Sequence, residues 1–228
     1  MLVGLVVARL AFVVQFRDAY LKSPLGILDI RDGGWHAAIG VGAALAYAGV
    51  VLARRTVLRR PLAAAAIVGA GAWLAGALIL SANALDDVRI PQLALPAMDG
   101  TTVALSSYEG RPTVVNLWAT WCPPCQREMP MLHAAQRSRP DVNFVFLNQG
   151  ESAQQVSAYL RKSGLALQNV LLDGRGDVGA ALGHRALPTT LFFDARGRLV
   201  DTRLGELSEA SLAERLASLS SATAKQLN

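Results

Sequence analysis

Thr113-Val114-Val115-Asn116-Leu117 leads into Trp118-Ala119-Thr120-Trp121-Cys122-Pro123-Pro124-Cys125, and the reading of this stretch decides the fold. The first part is an apolar run of strand length, and the cysteine pair opens a segment, 123–137, with helical character. C-x-x-C between a strand and a helix has a redox meaning rather than a purely structural one. Cys122 falls at the helix N-terminus, where unpaired N–H groups and the helix dipole favour thiolate over thiol. It is therefore the predicted attacking sulfur, and Cys125, one turn further in, the resolving one. Pro123 suits the first helical turn, where a missing N–H costs nothing. Pro124 is tolerated there too, and two rings stiffen the pair.

Outward from this centre, strands are predicted at Val114–Trp118, Phe144–Leu147, Thr190–Phe193 and Leu199–Leu204. Helices are predicted over 123–137, 152–163, 176–182 and 208–219, and 220–228 reads as a frayed tail. Strands alternating with helices imply an α/β fold whose mostly parallel or mixed sheet is covered on both faces.

The N-terminal part is different in kind. Residues 36–53 and 62–82 are apolar runs of about the 20 residues needed to cross a bilayer core. Residues 2–16 form a shorter run that contains Arg9 and reads as a short or tilted first span. A cleaved signal peptide is the rival reading, and it lacks a basic start and a small-residue cleavage site. Arg54, Arg55, Arg59 and Arg60 crowd the loop between the second and third runs. Short loops rich in Lys and Arg stay cytoplasmic, which sends everything after Leu85 to the outer face. The expected organisation is a membrane anchor over 1–84, a linker over 85–92, a soluble domain over 93–219 and the tail.

Charge agrees with that division. Of the 228 residues, 1–89 carry nine Lys/Arg against five Asp/Glu, and 90–228 carry thirteen against twelve. The net charge of +5 thus belongs mostly to the anchor, and the soluble part has no basic stripe interleaved with aromatics, so nucleic acid is not an expected partner. With only two cysteines, both in one motif, a disulfide-stapled scaffold is excluded. Half of a zinc site is the structural alternative for C-x-x-C, with His133 and His184 as the remaining candidates, but neither has a second metal-like spacing.

From about Leu93 to Leu219 the chain resembles the membrane-tethered thioredoxin-like reductases of the TlpA/ResA/CcmG group. The marks are Trp118 to Cys125, Gln126-Arg127-Glu128-Met129-Pro130, Asn148-Gln149-Gly150-Glu151-Ser152 and Leu187-Pro188-Thr189-Thr190. The resemblance implies a thioredoxin-like fold, a cis bond before Pro188, and backbone beside it, at Leu187, that pairs with the substrate chain. It implies that Glu128 lies near the buried cysteine and tunes or relays its proton, helped by the spacing of 125 and 128 on one helix face. A solvent-facing Glu128 is the rival reading, and Glu128→Gln is expected to cost under roughly 0.5 kcal/mol of stability, as a substitution at an exposed edge does. Asn116 stands where cytosolic thioredoxins carry a buried aspartate. Trp121, Pro123 and Pro124 are expected at the substrate surface, and Trp118 in packing. Glu151 with Ser152 is expected to cap the following helix, and His36 and His184 have no assigned role.

The activity implied is thiol-disulfide exchange by a Cys122–Cys125 redox pair with no other cofactor and no metal. Implied partners are disulfides of exported proteins, such as apocytochrome c or copper-site cysteines, and a membrane thiol-electron donor. The implied location is the bacterial inner membrane, with the domain facing the periplasm or cell exterior. Disulfide oxidase or isomerase activity, and a copper or zinc chaperone using the same thiols, are the alternatives. Residues 8–40 also resemble the early membrane segment of prolipoprotein diacylglyceryl transferases, and read as an anchor without transferase activity.

Overall fold

The computed structural model describes residues 2–22, 27, 33–54, 57, 59–82 and 88–227. Arg55, residues 85–87 of the expected linker, and parts of the transferase-like stretch lie outside them. The chain divides into two compact units, Met1–Asp86 and Asp87–Asn228.

The first unit is helical: α1 (Leu2–Gln15), the short α2 (Arg17–Lys22), α3 (Ala37–Arg54) and α4 (Arg59–Ala82). Among the described residues, α3 is long and apolar enough to cross a membrane, and α1 is a shorter apolar helix. α4 covers the third apolar run with 24 residues. α1 meets α3 through small residues: a Cβ added at Gly40 would lie 2.6 Å from the Ala8 Cβ and 2.8 Å from the Gly4 carbonyl oxygen. Such close backbone approach is how helices associate where apolar side chains gain nothing by hiding from lipid. Arg9, which made the first span doubtful in the sequence, is accommodated. Its Nε donates to the Ile27 carbonyl at 3.2 Å and its Nη1 to the Gly34 carbonyl at 2.8 Å, with the guanidinium over the Tyr20 ring.

The second unit is built on a five-stranded sheet. Its strands are β3 (Thr113–Trp118), β4 (Asn143–Gln149), β5 (Val170–Asp173), β6 (Thr189–Phe193) and β7 (Leu199–Leu204), in the order β5-β4-β3-β6-β7. β3, β4 and β5 run parallel, while β6 and β7 are antiparallel to their neighbours. A hairpin of β1 (Ala94–Pro96) and β2 (Thr102–Ala104) precedes the sheet, and α5 (Pro123–Ser138), α6 (Ala153–Ser163), α7 (Asp177–Ala181) and α8 (Glu209–Leu227) complete the unit. The α/β expectation holds. β1 and β2 escaped the sequence reading because three residues are too few to display a period, and β5 was not read either. The helical backbone of α8 continues to Leu227 through good helix formers, where a frayed tail was expected.

Both faces of the sheet are buried, which is why β3 and β4 read as nearly continuous apolar runs. Alternation survives in the destinations of the side chains. Val114, Trp118, Phe144 and Phe146 enter one core with Cys125, Met129 and Leu132 of α5, whereas Val115, Leu117, Val145 and Leu147 enter the other with Ile90, Leu105 and Val178. Trp118 is fully buried with its ring 5.6 Å from that of Tyr159, so it packs, as expected. The strand pairing ends at 118, and the next four residues, with Ala119 still buried in the core, carry the chain past the end of the sheet to the head of α5.

Candidate active site

Cys122 occupies the N-cap of α5 in an extended conformation, with Pro123 and Pro124 in the first turn. Its Sγ accepts a hydrogen bond from the Cys125 amide at 3.3 Å, one of the N–H groups a helix start leaves unpaired. The two cysteines are joined in a disulfide. They differ in access: Cys122 lines an open groove of about 530 Å³, and Cys125 does not. The sulfur placed to meet another molecule is therefore the one at the helix start.

The groove gathers Trp121, Pro123 and Pro124 with Leu187, four residues predicted to meet substrate, although about 65 residues of chain lie between the two segments. Trp121 is 66% exposed, a large aromatic left at the surface. The Leu187–Pro188 bond is cis, and Pro188 is buried immediately before β6. Gln149, Gly150, Arg175, His184 and Arg185 also line the groove, and the sequence reading had assigned them no part in it. They come from the ends of β4 and β5 and the loop after α7, so only the parallel crossovers bring them to one end of the sheet.

Glu128 does not face solvent. It is 2% exposed; its Oε1 accepts from Asn116 Nδ2 at 2.8 Å and its Oε2 from the Leu207 amide at 2.9 Å. Asn116 Nδ2 also donates to Thr190 Oγ1 at 3.0 Å across the β3–β6 register that sets those residues opposite each other. Burial pushes the Glu128 carboxyl up to about 7, against the opposing pull of those two hydrogen bonds. A carboxyl at that value exchanges protons near neutral pH, which suits a relay to a thiol. The rival surface reading is thereby overturned, and with it the small stability cost expected of Glu128→Gln: position 128 shares the buried face of α5 with Cys125.

Glu151 is a second correction. Ser152 caps α6 in a reciprocal box with Gln155, whereas Glu151 turns inward. Its carboxylate accepts from the Thr120 amide at 2.7 Å, from the Thr120 hydroxyl, and from Asn148 Nδ2 at 2.7 Å. It thus anchors the turn that delivers Trp121 and Cys122 to the end of β4. The signal was in the sequence, since an acid directly before an N-cap is not needed for capping once Ser152 and Gln155 form the box.

His133 and His184 do not come together. His133 lines a separate cavity with Arg111 and Asn143, near the opposite ends of β3 and β4, while His184 lies beside Cys122. Among the described residues no group of three or more His, Cys, Asp or Glu side chains is placed to hold a metal ion.

The chain is 28% identical over 131 residues to the thiol-disulfide oxidoreductase ResA of Geobacillus thermodenitrificans, covering 57% of this chain and 75% of that protein. It is 30% identical over 141 residues to the thiol:disulfide interchange protein DsbE of Vibrio cholerae, covering 62% and 74%. MTB DsbF, solved in mixed oxidized and reduced forms, superposes with a TM-score of 0.51 at 28% identity, over 56% of this chain and 95% of its own. Residues 85–216 match the Redoxin family, and with a cysteine pair at the head of α5 opening on a groove, the chain belongs to that family as a thiol-disulfide oxidoreductase.

Proposed function

We propose that this oxidoreductase reduces disulfides in exported proteins, held at the bacterial inner membrane by its N-terminal helices with the redox domain on the outer side. The observation that carries the exchange chemistry is the access of Cys122, and not Cys125, to the groove, and the reductive direction is the one the resemblance implies. In the reduced protein the Cys122 thiolate attacks one sulfur of a substrate disulfide. A mixed disulfide forms, and the other substrate sulfur leaves as a thiolate and takes up a proton. Cys125 then loses its proton and attacks Cys122 Sγ, releasing the second substrate thiolate and closing the Cys122–Cys125 disulfide. The substrate gains two electrons from the pair and two protons, one given up by Cys125 and one taken from solvent to match the proton already lost when Cys122 ionised.

Glu128, buried on the same helix face one turn after Cys125, is the group that receives or returns the Cys125 proton in this scheme. Trp121, the two prolines and Leu187 hold the substrate segment, and backbone beside Pro188 pairs with it. A membrane dithiol carrier restores the reduced pair, and apocytochrome c or copper-site cysteines are the substrates the family suggests. The stretch 8–40 serves as anchor alone.

The test is the reduction potential of the Cys122/Cys125 couple combined with trapping. A potential near that of thioredoxin, about -270 mV, together with mixed disulfides accumulating on Cys125→Ser but not on Cys122→Ser, supports the reading. A potential near about -120 mV makes the protein an oxidant instead. Capture by Cys122→Ser alone would exchange the roles of the two sulfurs.

A further inference from the structure

The redox unit is almost neutral in total, with thirteen Lys/Arg against twelve Asp/Glu over residues 90–228, but its groove is electrically one-sided. The lining that surrounds Cys122 contains Arg175, Arg185 and His184 and not one carboxylate. Nearby acids are committed elsewhere. Asp173 is buried and accepts from the amides of Asp177 and Val178 at 2.8 and 3.1 Å, and Glu151 is saturated by Thr120 and Asn148. Asp177 does pair with Arg175 at 2.9 Å, but the arginine side chain is 86% exposed, so the pair is weak and its guanidinium stays available. Arg185 is exposed, and among the described residues its side chain has no hydrogen bond or ion pair.

The backbone that carries His184 and Arg185 into the groove is held in position. The His184 amide donates to the Gly179 carbonyl of α7 at 2.7 Å, and a Cβ at Gly179 would stand 2.4 Å from the His184 carbonyl oxygen. Only glycine permits this approach, which pins the start of the 184–187 loop against α7. On the other side of the groove, Trp121, Pro123 and Pro124 present apolar surface. A chain entering the groove therefore meets apolar contacts around the sulfur and the exposed guanidinium groups of Arg175 and Arg185 beside it.

We propose that the groove selects disulfides flanked by acidic side chains, with Arg185 and Arg175 as specificity-determining residues that hold the substrate carboxylates while Cys122 attacks. This rests on the reading of the groove as the substrate site. Complementary charge at a partly exposed contact speeds encounter and sets preference more than it sets final affinity, and it is screened by salt.

The experiment uses the reduced full chain in neutral detergent. Three peptides, each closed by one internal disulfide, differ only in having Glu, Gln or Lys on both flanks of the loop, and kcat/KM is measured for the reduction of each. At low salt the Glu peptide should exceed the Lys peptide by about 10-fold, with Gln between, and the ratio should fall below about 2-fold in roughly 0.5 M salt. Arg185→Glu should reverse the order. Should that variant fail to fold, Arg185→Gln must at least lower the ratio. A ratio near one in the wild type, or one that ignores both substitutions, overturns the proposal. Failure to reduce any of the three peptides overturns the reductase reading itself, and the two failures are thus distinguishable.

Discussion

The two units of this chain differ in what they bury. In the first, Phe12 and Tyr20 are buried, but most large apolar side chains point outward, with Leu2, Ile67, Val68 and Trp73 between 71 and 79% exposed, while Gly4, Ala8, Gly40 and Arg9 are turned inward. In the second, Trp118, Phe144, Phe146, Phe192 and Phe193 are all at most 2% exposed. The membrane setting proposed for the first unit accounts for the difference. In water the hydrophobic effect drives large apolar groups together at about 25 cal/mol per Å². In lipid that force vanishes, so small residues that let backbones touch, and carbonyls that satisfy an arginine, take over. Long apolar runs and charge already separate the two units in the sequence, and the direction of burial separates them again in the structure.

The contrast breaks most completely if the first unit does not lie in a membrane. A reporter active only outside the cytoplasm should be active when fused after Leu85 and silent when fused at Arg59. The reverse pattern would place the thiols in a reducing compartment, where a Cys122–Cys125 disulfide does not persist.

A smaller but still large effect is expected where the second unit departs from its own rule by burying a carboxyl. The folded Glu128 keeps its proton up to about 7 against an ordinary 4.5. The folded protein therefore binds more protons than the unfolded chain between those values, and the stability contributed by this group is complete below about pH 4.5 and is lost as the pH rises through 7. The loss amounts to about 3 kcal/mol. Glu128→Gln should flatten that slope in urea titrations of the oxidised protein between about pH 4 and 8. In the reduced protein it should also lower the apparent thiol pKa in an alkylation-rate titration, because a negative charge no longer opposes the thiolate. Parallel stability curves and superimposable alkylation curves would remove Glu128 from the site.

The smallest effect tests packing inside the first unit. Gly40→Leu drives a side chain into Ala8 and the Gly4 backbone and should destabilise the α1–α3 pair by about 1–3 kcal/mol, read from loss of helicity on detergent titration. Gly42, two residues on in the same helix, has nothing within 4 Å of an added Cβ. Gly42→Leu should be neutral, or gain up to about 1 kcal/mol from helix propensity. Equal behaviour of the two variants would mean that α1 and α3 do not meet through this face.

Local order along the chain was enough to find the redox pair, since Cys122 and Cys125 between a strand and a proline-opened helix form a site four residues long. The α/β class was equally legible, because β3 and β4 and the helices after them each show their own pattern. Leu187 and Pro188 could be placed only by resemblance, since nothing in their own neighbourhood says that they lie beside residue 122. What the tertiary structure alone decided are the properties that depend on residues far apart in sequence. Asn116, Glu128 and Leu207 meet only because β3, α5 and the loop before α8 pack on one face, and this makes of a glutamate placed near Cys125 only by resemblance and helical spacing a buried acid titrating near neutrality. Likewise Arg175 and Arg185 read as ordinary solvated charges until the parallel crossovers carry both to the end of the sheet where Cys122 stands. Sequence fixes what each residue can do chemically, and burial and proximity, which are sums over the whole fold, determine which of those capacities is used.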